Sequence, residues 1–300
     1  MSITLLLIPD FALILLGFAI HRVTGWSRDF WSGLEKLVYF VLFPALLFHS
    51  IARNKIDFTA AAPALKLAAL VVVIGMVAAW LGRYAARGGK AAQTDFASAF
   101  QTAFRFNSYI GLAAAARLHG EAGIAAFGIV IGLVVPMCNI ASVWALARHG
   151  EVPIWKELVQ NPLIIATAGG VLYSVSGLPF PEVAQMLISR MGAASIACGL
   201  LCVGAALTLS NVRGNAALIG HMTAVKLLLM PAAAWMLAPV LGVTGVYRDM
   251  VMLLAALPTA TSAYVLAVRM GGNGELVAQA VTVSTLCGMI ALPVWLSLAR

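Results

Sequence analysis

The sequence predicts an all-α polytopic membrane protein with about ten transmembrane helices, and three observations carry that prediction. Hydrophobic residues make up 62% of the 300-residue chain and charged residues only 10%, against roughly a quarter charged in soluble domains. Mean hydropathy is +0.97, too high to come from a single buried core. Apolar runs of about twenty residues, each long enough to cross roughly 30 Å of hydrocarbon, recur from end to end.

Taken in order, the runs between charges predict helix 1 from Ile3 to Ile20, helix 2 from Leu37 to Ile51 and helix 3 from Leu65 to Leu81. Helix 4 follows from Phe96 to Ala116 and helix 5 from Gly123 to Leu146. Helix 6 covers Pro162 to Val175, helix 7 Ala193 to Leu209 and helix 8 Ala216 to Leu241. Helix 9 runs from Met250 to Val268 and helix 10 from Leu276 to Leu298. Connections are short and Gly-rich, as in Arg87-Gly88-Gly89-Lys90 and Gly271-Gly272-Asn273-Gly274, and leave no room for a soluble domain. The N-terminus has no basic stretch and no small-residue cleavage site before Arg22, so the first run reads as a retained helix.

The net charge of +8 lies mostly in the short loops. That is the pattern of loops facing anionic lipid and argues against nucleic-acid binding. Counting Lys and Arg in alternate loops puts ten on one side and seven on the other, which favours both termini outside. Cys138, Cys198, Cys202 and Cys287 all fall inside apolar runs. Cys198 and Cys202 share a helix face but have no His or carboxylate nearby, so they read as packing rather than as a metal site.

An internal repeat divides the chain into residues 1–150 and 151–300. Pro9 and Gly17 match Pro162 and Gly170; Asn107-Ser108-Tyr109 matches Ser262-Ala263-Tyr264; Gly120 matches Gly274, and Pro136 matches Pro293. Each half holds five helices, an odd number, so the halves face opposite ways. Inverted repeats of this kind mark secondary transporters.

The residues least suited to lipid lie on helices 4 and 9. Helix 4 carries Phe104-Arg105-Phe106-Asn107-Ser108-Tyr109. An arginine at mid-span costs about 2.5–3.5 kcal/mol on insertion scales, so it faces the bundle interior or a wet cavity. Its guanidinium matches a carboxylate; the alternative is a side chain that snorkels to the membrane surface. Helix 9 carries Pro258-Thr259-Ala260-Thr261-Ser262-Ala263-Tyr264. Proline removes a backbone donor and kinks the helix, and a half-helix N-terminus exposed there offers bare N–H groups to an anion. Asn139 either lines the same cavity or bonds across helices. Asp10 reads as close to the membrane surface and His49 as a structural histidine. Lys226, near an end of helix 8 together with His221, reads as a snorkelling anchor ahead of a second positive charge for substrate.

With these motifs in place the chain resembles the auxin efflux carrier family. The likeness is carried by Ala255-Ala256-Leu257-Pro258-Thr259 through Ala291-Leu292-Pro293, Asn161-Pro162-Leu163-Ile164-Ile165-Ala166, Leu34-Glu35-Lys36 to Phe43-Pro44-Ala45, and Arg105-Phe106-Asn107. The resemblance, to a bacterial member of that family in a cell membrane, implies two inverted five-helix repeats whose broken helices 4 and 9 cross at the substrate site. It also implies a homodimer, a scaffold of helices 1, 2, 6 and 7, elevator-like movement of the remaining helices, and an organic-anion substrate such as malate or malonate. Asn107 matches the crossing asparagine of helix 4. Plant carriers have proline at both crossings, whereas Phe106 and Ala263 stand there in this chain, with Pro258 upstream.

The expectation is therefore a secondary carrier of a small mono- or dicarboxylate that uses no cofactor. Arg105 would neutralise the carboxylate, while Asn107, Ser108, Tyr109, Asn139, Thr259, Thr261, Ser262 and Tyr264 would line the site beside Pro258. The alternative is a sodium-coupled organic-anion symporter of the bile-acid type. An intramembrane enzyme is disfavoured, because the chain has no HExxH, no GxSxG and no paired intramembrane aspartates.

Overall fold

A computed structural model describes residues 3–53, 58–84, 90–146, 162–208 and 215–299, and among these residues the chain is all-helical. The boundary expected at residues 150 and 151, Asn161 and the greater part of the Arg87–Lys90 loop lie outside the described residues. Six of the described helical runs are long and apolar enough to cross a membrane, and Pro162–Ser176 is a shorter apolar helix.

The first run, α1 (Ile3–Val23), is apolar almost throughout, because both lipid and protein neighbours accept the same side chains. The helix α2 (Arg28–Leu37) opens on a Ser27 cap whose side chain accepts from the Phe30 N–H, with Asp29 in its first turn. It passes through a π-helical turn, Val38–Leu42, into α3 (Phe43–Arg53). The apolar stretch expected to begin at Leu37 is thus the second part of a longer helix whose polar beginning hydropathy does not register. Next come α4 (Phe58–Leu81) and α5 (Lys90–Phe100).

The long run α6 (Ser108–Leu146) contains a break at His119 and Gly120. Gly120 adopts a positive φ of 59°, which only glycine takes up without strain. Across the break Gly123 lies so close to the Ala115 carbonyl that a side chain at 123 would collide with it. The break accordingly separates the predicted helices 4 and 5.

The remaining elements are α7 (Pro162–Ser176), α8 (Glu182–Ala205), α9 (Ala216–Ala224), α10 (Met230–Val240), α11 (Gly245–Ala256), α12 (Ser262–Arg269) and α13 (Gly274–Leu298). A π-helical turn, Val225–Leu229, joins α9 to α10. Two sets of helices pack most closely. In one, α1 lies on α8, and α3 lies on α7 and α8. In the other, α11 packs on α4, α6 and α10, and α4 packs on α6 and α10.

The α1–α8 contact depends on glycine. Any Cβ at Gly204 would run into the Ile14 carbonyl, and one at Gly17 into the Leu201 carbonyl. Small residues let helix backbones approach in this way where lipid supplies no hydrophobic drive for association.

Candidate functional site at two helix breaks

Two helices that the hydropathy pattern presents as continuous are interrupted, each by its own local chemistry. After α11, Leu257 turns to extended backbone with φ −62° and ψ 144°. A residue preceding proline is driven out of the helical region, and Pro258 has no N–H to continue the ladder. The chain resumes helix only at Ser262.

The other break has no proline. After α5 the chain passes through a 3₁₀ turn, Gln101–Ala103, and leaves helical geometry at Phe104 with φ −131°. Asn107 then restarts the helix: its Oδ1 accepts from the N–H groups of Tyr109 at 3.0 Å and Ile110 at 3.3 Å. This is the work of an N-cap. It explains how a break forms although Phe106 is not proline.

The two breaks are tied together. The Asn107 N–H donates to the Pro258 carbonyl at 2.9 Å. The Thr259 hydroxyl donates to the Thr102 carbonyl at 2.6 Å, and Gln101 Nε2 donates to the Ala263 carbonyl at 3.1 Å. Ser284 of α13 accepts from the Thr259 N–H at 3.0 Å. Backbone polar groups freed at membrane depth must find such partners, because hydrocarbon supplies none.

A cavity lies where the breaks meet. Asn107, Ser108, Tyr109, Thr261 and Ser262 line it from one side, with Phe106 and Ala260. Glu35, Tyr39, Phe43 and Leu163 line it from α2, the π turn, α3 and α7. Both half-helices that begin at the breaks, α6 at Ser108 and α12 at Ser262, start at its wall. Asn107 is buried, and its Nδ2 has no hydrogen-bond partner among the described residues. The Tyr109 ring stacks on Phe43, with centroids 4.6 Å apart and planes within 14°.

The other expected residues are placed as follows. Arg105 stands at the first break and spans outward from it, donating from Nη1 to Asn139 Oδ1 and from Nη2 to Ser262 Oγ, each at 3.0 Å. Arg105 is thus tied to the wall residue Ser262, but neither it nor Asn139 lines the cavity. Pro258 and Thr259 are buried at the contact between the breaks, with the Pro258 ring against Gly288. Tyr264 does not join them. It is 41% exposed and lies in the first turn of α12, with its ring against Gly274 at the start of α13.

Sequence reasoning overlooked Glu35, Tyr39 and Phe43 as wall residues. They stand in a run that carries part of the family likeness, and the signal that marks it is a carboxylate at the start of an apolar run. Asp10 is buried on α1 and pairs with Arg117 of α6 at 3.5 Å. Lys226 is fully buried and is no snorkelling anchor.

Polar, interrupted helices that meet inside an apolar helical bundle define a multi-pass membrane transport protein. A family model described as "Membrane transport protein" matches residues 150–296. A "Putative malonate transporter" of Rhizobium meliloti is 24% identical, with the alignment covering 100% of this chain and 96% of the relative. An "Uncharacterized transporter" of Methanothermobacter thermautotrophicus is 23% identical over 94% of each chain. "Uncharacterized transporter YfdV" of Escherichia coli is 23% identical over 98% of this chain and 96% of its own. Along its length the chain is thus similar to transporters of this membrane transport family, that of the auxin efflux carriers, and its residues 150–296 match the family model.

Proposed function

We propose that the protein is a secondary carrier of a small organic anion, a mono- or dicarboxylate, which binds where the two helix breaks meet. The observation that carries this reading is the Asn107 amide. It is buried at the cavity wall with a donor that has no partner among the described residues, between the starting points of two half-helices. Hydrogen-bond donors and the positive ends of helix dipoles suit a carboxylate, and Ser108, Thr261 and Ser262 add hydroxyls around it. The Arg105 guanidinium, held one residue behind the wall by Ser262, offsets the anion's charge. The malonate named for the Rhizobium meliloti relative falls in this chemical class.

In this reading the chain is two inverted five-helix halves, residues 1–150 and 151–300. The contacts Thr102 to Thr259 and Arg105 to Ser262 support it, since each joins residues 157 apart. The set α1, α2, α3, α7 and α8 is the scaffold, and the remaining helices carry the anion across in an elevator-like movement. The carrier works as a homodimer with both termini outside.

The test is a screen of mono- and dicarboxylates on purified protein by thermal shift, followed by uptake of the best binder into proteoliposomes. A saturable shift and uptake for one carboxylate support the reading. If no carboxylate shifts the midpoint or enters the vesicles while the protein stays folded, the reading is wrong.

A further inference from the structure

The ammonium of Lys226 is placed where a membrane carrier has reason to place a cation. Lys226 lies on the π-helical turn between α9 and α10 and is 0% exposed. Its Nζ donates to the carbonyls of Leu254 and Ala255, each at 3.2 Å. These are among the last carbonyls of α11, the half-helix that ends at Ala256 just before Pro258, and the neighbouring Leu253 carbonyl is taken by the Leu257 N–H. No carboxylate among the described residues lies within ion-pair distance of Nζ. The ring of Phe106, from the other break, lies 6.0 Å from it, near the outer limit of a cation–π contact.

A lysine buried this way is costly unless its charge does something. The C-terminal end of a helix carries a negative partial charge and unsatisfied carbonyls. Where helices break inside a membrane, such carbonyls and half-helix ends are the groups that coordinate sodium or a proton in coupled carriers. Here Lys226 fills that place with a covalently attached ammonium that reaches it from another helix. A π turn, with its extra residue per turn, is a frequent device for aiming one side chain off the regular helix face.

We propose that Lys226 is a resident cation at the end of the broken helix, that it stands in for a coupling metal ion there, and that the carrier therefore works without sodium. The proposal goes beyond the carrier reading. Only its consequence for transport rests on that reading, because the occupancy of the α11 carbonyls can be measured without any substrate.

The test is the thermal unfolding midpoint of the purified protein in detergent, in sodium, potassium or choline chloride at one ionic strength. Wild type is expected to unfold at the same temperature in all three salts. A saturable stabilisation by sodium over choline would show a separate metal site and overturn the proposal. Lys226→Ala removes the stem and the charge together and is expected to unfold at a lower temperature. n-Propylammonium, which replaces the missing three carbons and nitrogen, should raise that midpoint again, and 1-propanol at the same concentration should not. A variant as stable as wild type, or one rescued equally by the alcohol, overturns the proposal. Lys226→Met keeps the stem and loses only the charge; if its midpoint matches wild type, the ammonium is not needed. Should neither variant yield folded protein, the salt comparison on wild type still decides. If the carboxylate screen gives an uptake assay, uptake by wild type should be equal with sodium or choline outside. Failure of that screen leaves the stability measurements standing.

Discussion

The Asn107 N–H and the Pro258 carbonyl, 2.9 Å apart, join the two helix breaks at their centres. Asn107 thereby performs three tasks with one residue. Its backbone N–H holds the other break, its Oδ1 caps the half-helix beginning at Ser108, and its Nδ2 is left without a hydrogen-bond partner among the described residues. Pro258 contributes by what it lacks, since a residue with an N–H there would allow α11 to continue.

The three tasks separate by substitution. Asn107→Asp keeps an oxygen that caps the helix but replaces the free donor with a negative charge. We expect it to fold with a near-normal unfolding midpoint and to lose the carboxylate-induced thermal shift. Asn107→Ala loses the cap as well, at a cost of about 1 kcal/mol, and should lower the midpoint. An Asp variant that still binds the anion as well as wild type would remove Asn107 from the binding site.

Arg105 is held by Asn139 of α6 and by Ser262, the first residue of α12 after the second break. Arg105→Ala should abolish uptake in proteoliposomes while expression and particle size in detergent stay unchanged. Arg105→Lys keeps the charge but cannot hold both oxygens in a fork, so a partial loss is expected. Uptake that survives Arg105→Ala would make the guanidinium a purely structural tie.

Much of this was legible in the sequence, and the remainder was hidden for identifiable reasons. Composition reports the solvent, so the membrane class followed from the shortage of charge, and Pro258 marked its own break. The first break has no proline to mark it: Arg105, Asn107 and Ser108 single out helix 4, but the break itself was expected only from the family resemblance. Hydropathy is the same whether Gln101–Ala103 form a 3₁₀ turn or a continuous helix. Arg105 was visible, but the partners that turn it away from the cavity wall lie 34 and 157 residues away. Lys226 was misread because a sequence gives depth along a helix, not the face presented after a π turn. Glu35 is not legible as a wall residue from its own helix, since its neighbours across the cavity belong to other helices.

The close helix contact of α1 with α8 gives a stability prediction independent of any substrate. Gly204→Ala drives a methyl group into the Ile14 carbonyl, which is backbone and cannot swing aside. Overpacking of this kind costs roughly 1–3 kcal/mol, so the unfolding midpoint should fall. Gly220→Ala is the control, because nothing lies within 4 Å of a Cβ there. It should be neutral, or stabilising by about 0.4–1 kcal/mol through loss of unfolded-chain entropy. Equal midpoints for the two variants would contradict the packing.

Glu35 poses the sharpest question about binding, since a carboxylate shares the cavity wall with the donors that suit an anion. While ionised, it repels a bound carboxylate. Across a cavity of this kind, with an effective dielectric constant of about 20, the penalty is roughly 1–2 kcal/mol, on the order of a tenfold change in Kd. Glu35→Gln preserves the shape and removes the charge. It should therefore tighten binding of the best carboxylate from the screen by about that factor, measured by titration calorimetry at neutral pH. Release on the far side should slow in step, so uptake per binding event falls as affinity rises. A Gln variant that binds more weakly would mean that Glu35 orders the wall or carries a proton to the anion, and that repulsion is not its role.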